Sequence, residues 1–155
     1  YFSIKVTDEK YVQKYTGVDI YHGDEVELLL DVNLLNDFCG TTLDGDDFQI
    51  GFSAGNPSQE ISKTVYLWYP KNIQGARTDI AMSYQFEDKP IYRIEAAIPW
   101  KLLGVTPYAG MRLGFAVNVN DNDDVATYKE QTMLSTGAGL SVFNPTTWGE
   151  LILLK

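Results

Sequence analysis

Hydrophobic and polar residues alternate along most of this chain, and a period of two is typical of β-strands with one buried face. In the first such segment, Phe2, Ile4 and Val6 are each followed by a polar residue. The same pattern predicts strands near residues 2–7, 26–30, 48–52, 65–69, 80–86, 94–98, 113–119, 127–135 and 148–154. Clusters of Gly, Asn, Asp and Pro, which favour turns, separate these segments. The pattern therefore predicts an all-β fold, an antiparallel and jelly-roll-like β-sandwich of about nine strands.

Helical periodicity is nearly absent from the sequence. Only residues 99–104, which begin with Pro and end with Gly, predict a short helical turn. A chain of 155 residues can bury a core of its own, so we expect one domain over residues 1–155. The first predicted strand begins almost at the first residue, with no signal peptide before it. We therefore expect this domain to be part of a longer protein.

Composition and charge exclude several classes of function. Hydrophobic residues make up 45% of the chain and aromatic residues 13%, which is typical of a folded domain. The net charge of −9 argues against nucleic acid and anionic membrane surfaces as partners. One cysteine, Cys39, cannot form an internal disulfide, and one histidine, His22, cannot form a multi-histidine metal centre. No apolar run approaches the ~20 residues that a bilayer-spanning helix needs.

Two patterns could indicate catalysis, and neither is supported. The segment Gly51-Phe52-Ser53-Ala54-Gly55 matches the nucleophile motif of serine hydrolases, but a loop sequence follows it and His22 precedes it in the chain. Glu27 and Glu95 lie on the polar faces of predicted strands, and nothing pairs them as the two carboxylates of a glycosidase. We therefore expect a protein that is not an enzyme.

Acidic residues are unevenly distributed along the chain. Residues 1–50 contain eleven of the 21 acidic residues and three of the 12 basic ones. Solvated loops are one explanation, and calcium sites are the other, because Ca²⁺ binds carboxylate and carbonyl oxygens. The turn Asp121-Asn122-Asp123-Asp124 resembles part of a calcium loop but lacks the spacing of an EF-hand.

Several phrases, taken together, resemble the family 9 carbohydrate-binding modules of xylanases and related secreted glycoside hydrolases. One is Tyr21-His22-Gly23-Asp24-Glu25-Val26-Glu27, which is similar to the family's run of an aromatic residue, Asp and Val-Glu. The others lie at residues 2–8, 46–50, 92–100, 110–121 and 148–151, in the family's order. The family's first strand region, which would precede residue 1, is missing.

The resemblance implies a β-sandwich with structural calcium and a slot in which two aromatic residues hold a sugar. It places Tyr21 at the first aromatic position, Glu27 and Asn118 at hydroxyl-binding positions, and Phe143 near the second aromatic position. The sequence departs from the pattern at Gly51, where well-known sugar binders have Arg. The calcium ligands that we expect are Asp8, Asp31, Asp121 and Asp123.

The function that we expect is non-catalytic binding of xylan, cellulose or their chain ends, which would tether a secreted, covalently linked hydrolase to its substrate. Tyr66 and Trp68 share one face of a predicted strand and could form an alternative sugar platform. Trp100 and Trp148 are predicted to be packing residues.

Two alternatives remain open at this stage. One is a structural or docking domain that has lost sugar binding. The other is a haem b domain, in which His22 and one of Met82, Met111 or Met133 would be the axial ligands.

Overall fold

The computed structural model describes residues 1–36, 38–87, 91–124, 126 and 132–155. Within these ranges the chain forms ten β-strands and four short 3-10 helices. The strands are β1 (Phe2–Thr7), β2 (Glu25–Asp31), β3 (Asp47–Ser53), β4 (Thr64–Tyr69), β5 (Gly75–Ala76), β6 (Ala81–Phe86), β7 (Ile91–Ala97), β8 (Arg112–Asp121), β9 (Thr132–Ser135) and β10 (Gly149–Ile152). The 3-10 helices are Gly17–His22, Pro57–Gln59, Lys71–Ile73 and Pro145–Thr147.

The strands form two antiparallel sheets, and the predicted β-sandwich is confirmed. The smaller sheet has the order β1-β7-β6, and the larger has the order β10-β8-β2-β3-β4-β5, with β9 also paired to β8. The alternation of hydrophobic and polar residues did not predict the two-residue strand β5. Residues 127–131 of the weak run near 127–135 lie outside the described part of the chain, and β9 forms its end.

The main core lies between the two sheets, and it contains the apolar positions of the alternating segments. Leu28, Ile50 and Leu67 lie side by side on β2, β3 and β4, and all three are buried. Ile94 and Tyr92 of β7 are the main contributions from the smaller sheet, at 0% and 1% exposure. Removing these side chains from water is the main force that holds the two sheets together.

A second, smaller core covers the outer face of the larger sheet. Trp148 packs there against Leu29 of β2 and Ala116 of β8, together with Leu140 and Val142. Its indole nitrogen donates a hydrogen bond to the Ser141 carbonyl over 2.9 Å. The prediction that Trp148 is a packing residue is therefore supported, but it packs outside the sandwich instead of closing it.

One long side of the sandwich is open beside β1. Within the described part of the chain, β1 pairs with β7 alone, so its other edge has no partner strand. Two cavities of about 430 and 160 Å³ border β1 and the apolar residues of the opposite sheet. Trp100 borders the smaller cavity and is 36% exposed, so its packing is only partial.

The helical turn predicted at residues 99–104 is a hydrogen-bonded turn and not a helix, with Leu102 N donating to the Pro99 carbonyl. The 3-10 helix Gly17–His22 was not predicted. Among the described residues, the helices are all too short or too polar to cross a bilayer.

Candidate functional site

A cavity of about 360 Å³ lies on the outer face of the larger sheet. Its lining consists of aromatic, apolar and polar side chains in similar numbers: Tyr21, Glu27, Gln49, Trp68, Lys71, Asn120, Met133, Val142 and Phe143. The cavity thus brings together Tyr21, Glu27 and Phe143, which are distant in the sequence and were predicted to bind sugar. Apolar walls with a few fixed polar groups are typical of small-molecule sites.

The floor of the cavity is polar because the outward-facing positions of β2 and β8 carry Glu and Asn. Glu27 of β2 lies opposite Asn118 of β8, and Glu25 lies opposite Asn120. All four side chains are at most 3% exposed. Burying such groups costs free energy unless they are hydrogen-bonded, so their partners determine what the floor can do.

Glu27 is held by an amide on each side. Gln49 Nε2 donates to Glu27 Oε1 over 2.8 Å, and Asn118 Nδ2 donates to Oε2 over 2.9 Å. Burial raises the pKa of Glu27 above its usual value, while the two amide bonds act in the opposite direction. Within the described part of the chain, no donor reaches Asn118 Oδ1, although Asn118 is fully buried. The floor therefore presents a fixed carboxylate, and the predicted residue Asn118 lies behind it as a support.

Tyr21 forms one wall of the cavity from the 3-10 helix Gly17–His22. Its ring is 37% exposed and packs on the His22 ring, with the centroids 4.0 Å apart. The Trp68 ring meets Tyr21 edge-on, with a centroid distance of 6.1 Å. One face of Tyr21 is supported by the protein, and the side chain keeps a solvent-accessible surface in the cavity.

Trp68 explains the departure from the family pattern at Gly51. A Cβ atom at position 51 would overlap the Trp68 indole ring, so glycine provides the space that the ring occupies. Trp68 Nε1 also donates to the Val18 carbonyl over 3.0 Å, which ties β4 to the helix that carries Tyr21. Trp68, which was predicted to form an alternative platform with Tyr66, therefore lines the same cavity as Tyr21. Tyr66 neighbours Trp68, with ring centroids 5.5 Å apart, but does not line it.

The opposite wall of the cavity is more exposed. Phe143 is 67% exposed and follows Val142, which also borders the cavity. Met133 of β9, at 41% exposure, and Lys71 complete this side. Lys71 brings a positive charge to a lining whose other polar residues are the acidic Glu27 and the neutral amides Gln49 and Asn120.

Acidic side chains gather at the end of β8, beside the cavity of about 430 Å³. One carboxylate oxygen from each of Asp8, Asp24 and Asp121 lies within 4.8 Å of the others. Asp8 and Asp121 were predicted as metal ligands, whereas Asp24 was missed because it occurs inside a phrase assigned to sugar binding. We call these three residues the acidic triad.

Asp24 is the buried member of the acidic triad, at 1% exposure. Its Oδ1 accepts a bond from Asn122 N over 3.0 Å, and its Oδ2 accepts one from Val12 N. Burial raises the pKa of Asp24 to about 8, although these two backbone bonds act to lower it. Burial is also the main cause that raises the pKa of Asp8, and the charge of Asp121 adds to it. Burial thus disfavours the ionised carboxylates of Asp8 and Asp24, and a bound cation would stabilise them.

The other two predicted metal ligands lie outside the triad. Asp123 is close by, and its backbone carbonyl accepts a bond from Lys10 Nζ. Asp31 lies at the far end of β2, where its carboxylate accepts a bond from Asn33 N over 2.8 Å. A second group of carboxylates, Asp44, Asp46 and Asp47, also converges within 4.8 Å, and its member Asp47 is the residue that pairs with Asp31 between β2 and β3.

The hydrolase motif has no catalytic geometry in the structure. Ser53 is fully buried, and its hydroxyl accepts a hydrogen bond from Gly55 N over 3.1 Å. The residues of the haem alternative are divided between three environments. Met82 and Met111 belong to the core between the sheets, and Met133 lines the outer-face cavity. The His22 ring does not line that cavity and packs against Tyr21 and Tyr15. Nothing in this arrangement favours haem binding.

Comparisons with known proteins point in the same direction as the cavity. The family model described as "Carbohydrate family 9 binding domain-like" matches residues 1–155. Two solved structures of a carbohydrate binding module family 9 from Caldicellulosiruptor kristjanssonii are similar in fold. The structure in complex with cellotriose has a TM-score of 0.71 and 21% sequence identity, and the match covers 98% of this chain and 67% of that chain.

The structure in complex with glucose has a TM-score of 0.73 and 20% identity, with 97% of this chain and 68% of that chain covered. Among curated protein sequences, none matches this chain significantly.

Proposed function

The chain belongs to the carbohydrate family 9 binding domains, which are non-catalytic, and we propose that it binds gluco- or xylo-oligosaccharides in the cavity on the outer face of the larger sheet. The observation that carries the proposal is the composition of this cavity: Tyr21, Trp68 and Phe143 border it around the buried carboxylate of Glu27. Similar structures hold cellotriose and glucose, which makes these two sugars the first ligands to test.

The chemistry of the cavity suits a sugar ring. The apolar C–H face of a sugar stacks on aromatic planes, and its hydroxyls bind carboxylate and amide groups at the edge. Tyr21 and Phe143 would supply the planes, with Trp68 supporting Tyr21. Glu27, held between two amides, would accept hydrogen bonds from hydroxyls without having to change its position. Fixing this acceptor before binding reduces the entropy cost of recognition.

The biological role that follows is attachment of a larger enzyme to polysaccharide. In this proposal the domain is covalently linked to a secreted glycoside hydrolase and holds it on xylan, cellulose or their chain ends. The support is membership of a family typical of secreted enzymes, together with an acidic, aromatic-rich composition.

Calorimetric titration with glucose, cellotriose and xylotriose tests the proposed binding. We expect saturable heat from the wild type and a loss of most affinity in Tyr21→Ala, because the stacking surface is removed. Tyr84→Ala is the matched control, since Tyr84 lies on the smaller sheet and is 36% exposed, nearly as much as Tyr21. Absence of heat with every sugar, from a protein shown to be folded, would contradict the proposal.

We also propose that the acidic triad holds a structural Ca²⁺ ion. Asp8, Asp24 and Asp121 offer hard oxygen ligands of the kind that Ca²⁺ prefers. In the described part of the chain, no donor reaches the buried Asp121 Oδ1 or the buried Asn120 Oδ1, and both residues border the cavity beside the triad. Unsatisfied buried oxygens next to three carboxylates fit a cation better than they fit water alone.

Thermal melting tests the calcium proposal. We expect EDTA to lower the melting temperature and added Ca²⁺ to restore it, because an ion that binds only the folded state stabilises it. The variant Asp24→Asn should lose this response. Equal melting temperatures with and without Ca²⁺ would contradict a calcium site.

The open side of the sandwich favours a second candidate function, a docking domain. Among the described strands, β1 pairs with β7 alone, and in this alternative a strand of the polypeptide that carries the domain would pair with the other edge of β1, beside the two cavities. A folded protein that binds no sugar would favour this alternative.

A further inference from the structure

Three side chains hold the helix that carries Tyr21, each through a different backbone carbonyl. Trp68 Nε1 donates to Val18, and Gln13 Nε2 donates to Ile20, both over 3.0 Å. Asn122 Nδ2 donates to His22 over 2.7 Å. A 3-10 helix of six residues has too few internal bonds to fix its own position, so these three contacts determine where Tyr21 lies.

The contact from Asn122 is different, because Asn122 also binds a member of the acidic triad through its backbone. Asn122 follows Asp121, and its backbone N donates to Asp24 Oδ1 over 3.0 Å. Its side chain is fully buried, and its Oδ1 accepts a bond from Asp124 N over 2.9 Å. Residues 22–24 and 120–122 are therefore joined twice, once at the triad and once at the His22 carbonyl.

The charge of the triad acts directly on this junction. Asp24 belongs to one of the two segments and Asp121 to the other, and their carboxylate oxygens lie within 4.8 Å. A cation bound to both carboxylates would attract each of them and hold the two segments together, and without the cation this link is missing. Any separation of the two segments weakens the bond from Asn122 to His22, which supports the ring beneath Tyr21.

We propose that a divalent cation at the acidic triad and a sugar in the outer-face cavity bind cooperatively, with Asn122 as the positioning residue that connects the two sites. The proposal rests on the proposed function and assigns a regulation to the same site. Because coupling between two binding sites is reciprocal, Ca²⁺ strengthens sugar binding and the sugar strengthens Ca²⁺ binding by the same factor.

The test is a thermodynamic cycle measured by calorimetry at one pH. Cellotriose is titrated into the protein in excess Ca²⁺ and in EDTA, and we expect the dissociation constant to rise at least about fivefold in EDTA. Where the protein in EDTA is unfolded at the assay temperature, Ca²⁺ is titrated with and without saturating cellotriose. Saturating cellotriose should then lower the Ca²⁺ dissociation constant by the same factor.

Two variants separate positioning from general destabilisation. Asn122→Ala removes the bond to His22, and we expect it to reduce the Ca²⁺ effect on cellotriose affinity to less than about twofold. Trp68→Phe keeps an aromatic ring but removes a different bond to the same helix, the one to the Val18 carbonyl, and touches no bond described between the helix and residues 120–122. It should weaken cellotriose binding by a similar factor in Ca²⁺ and in EDTA, so the ratio stays near the wild-type value.

The possible failures are distinguishable. No cellotriose heat under any condition overturns the proposed function and the cooperativity with it. A cellotriose dissociation constant that is the same within about twofold in Ca²⁺ and in EDTA overturns the cooperativity alone. The same follows if Asn122→Ala keeps the wild-type ratio between the dissociation constants in EDTA and in Ca²⁺. A protein that binds cellotriose but shows no response to Ca²⁺ in melting or titration also overturns the cooperativity and leaves the sugar site intact.

Discussion

The outer faces of the two sheets have similar alternating sequences and very different environments. On the smaller sheet, Ser3, Lys5 and Glu95 point outward and are exposed to solvent. On the larger sheet, the outward-facing Glu27 and Asn118 are at most 3% exposed, because loops and the helix Gly17–His22 cover them. An outward-facing polar residue is therefore solvated on the smaller sheet, whereas on the larger sheet it belongs to the candidate site. The difference arises from the covering segments and not from the strand itself.

Two glutamates, one beside each of these faces, also differ in the direction in which the protein shifts their pKa. Glu87, beside the smaller sheet, forms ion pairs with Arg93 and Lys5. Its pKa is lowered, and the hydrogen bond from Arg93 is the main cause. Glu27 has only neutral amide partners, and burial raises its pKa. The protein thus stabilises the charge of one glutamate and disfavours that of the other. Two of the following predictions compare these two faces directly, and one compares the cavity side of the larger sheet with an open turn.

The largest expected difference is between Glu27→Ala and Glu95→Ala. Truncating Glu27 leaves the half-buried amide of Gln49 and the buried amide of Asn118 without this acceptor, which should reduce the free energy of unfolding by about 2–4 kcal/mol. Truncating the exposed Glu95 should change it by less than about 0.5 kcal/mol. Urea unfolding monitored by tryptophan fluorescence measures both values. Equal effects of the two substitutions would show that the outer faces are equivalent.

A smaller difference is expected between two glycines. Gly51→Ala places a methyl group where the Trp68 ring packs, and such overpacking should cost about 1–3 kcal/mol of stability. Gly45→Ala is the control, because no atom lies within 4 Å of the added Cβ. The same unfolding measurement applies, with sugar titration as a second readout. A neutral Gly51→Ala would mean that Trp68 does not occupy the position described here.

The smallest expected effects are in the pH dependence of stability, and they have opposite signs. The folded-state pKa of Glu27 is raised, so the wild type loses stability as pH rises above the usual value of 4.5. The side chain of Glu27→Gln does not titrate. The free energy of unfolding of this variant should therefore increase relative to that of the wild type between about pH 4 and pH 7.

Glu87→Gln provides the comparison for this measurement. The folded-state pKa of Glu87 is lowered, so its ionised form adds stability that is lost as pH falls below 4.5. The free energy of unfolding of Glu87→Gln should therefore decrease relative to that of the wild type as pH rises. Urea midpoints at pH 4 and pH 7 give both signs, and the same sign for both variants would contradict the assigned environments.

The fold was predictable from the sequence because alternation encodes the inward face of each strand. Leu28, Ile50 and Leu67 follow the pattern and form the core. The two-residue strand β5 was not predictable, since two residues carry no period. The helix Gly17–His22 was missed because its position depends on side chains outside it, two of which, Trp68 and Asn122, are distant in the sequence.

The candidate site was predictable only in part. Tyr21, Glu27 and Phe143 came from the family resemblance, and the structure places them around one cavity. Trp68 was assigned to a separate platform, because the sequence does not show that Gly51 makes room for its ring. Asp24 was missed as a triad member, since its partners Asp8 and Asp121 meet it only through the fold. Strand pairing, and not local sequence, brings these residues together.

The structure of a complex with cellotriose tests the central claim most directly. We predict a sugar ring in the outer-face cavity, stacked on Tyr21 or Phe143, with a hydroxyl hydrogen-bonded to Glu27. Tyr84, on the smaller sheet, should have no sugar bound to it. A sugar bound only elsewhere, with the cavity beside Glu27 filled by solvent, would contradict the account.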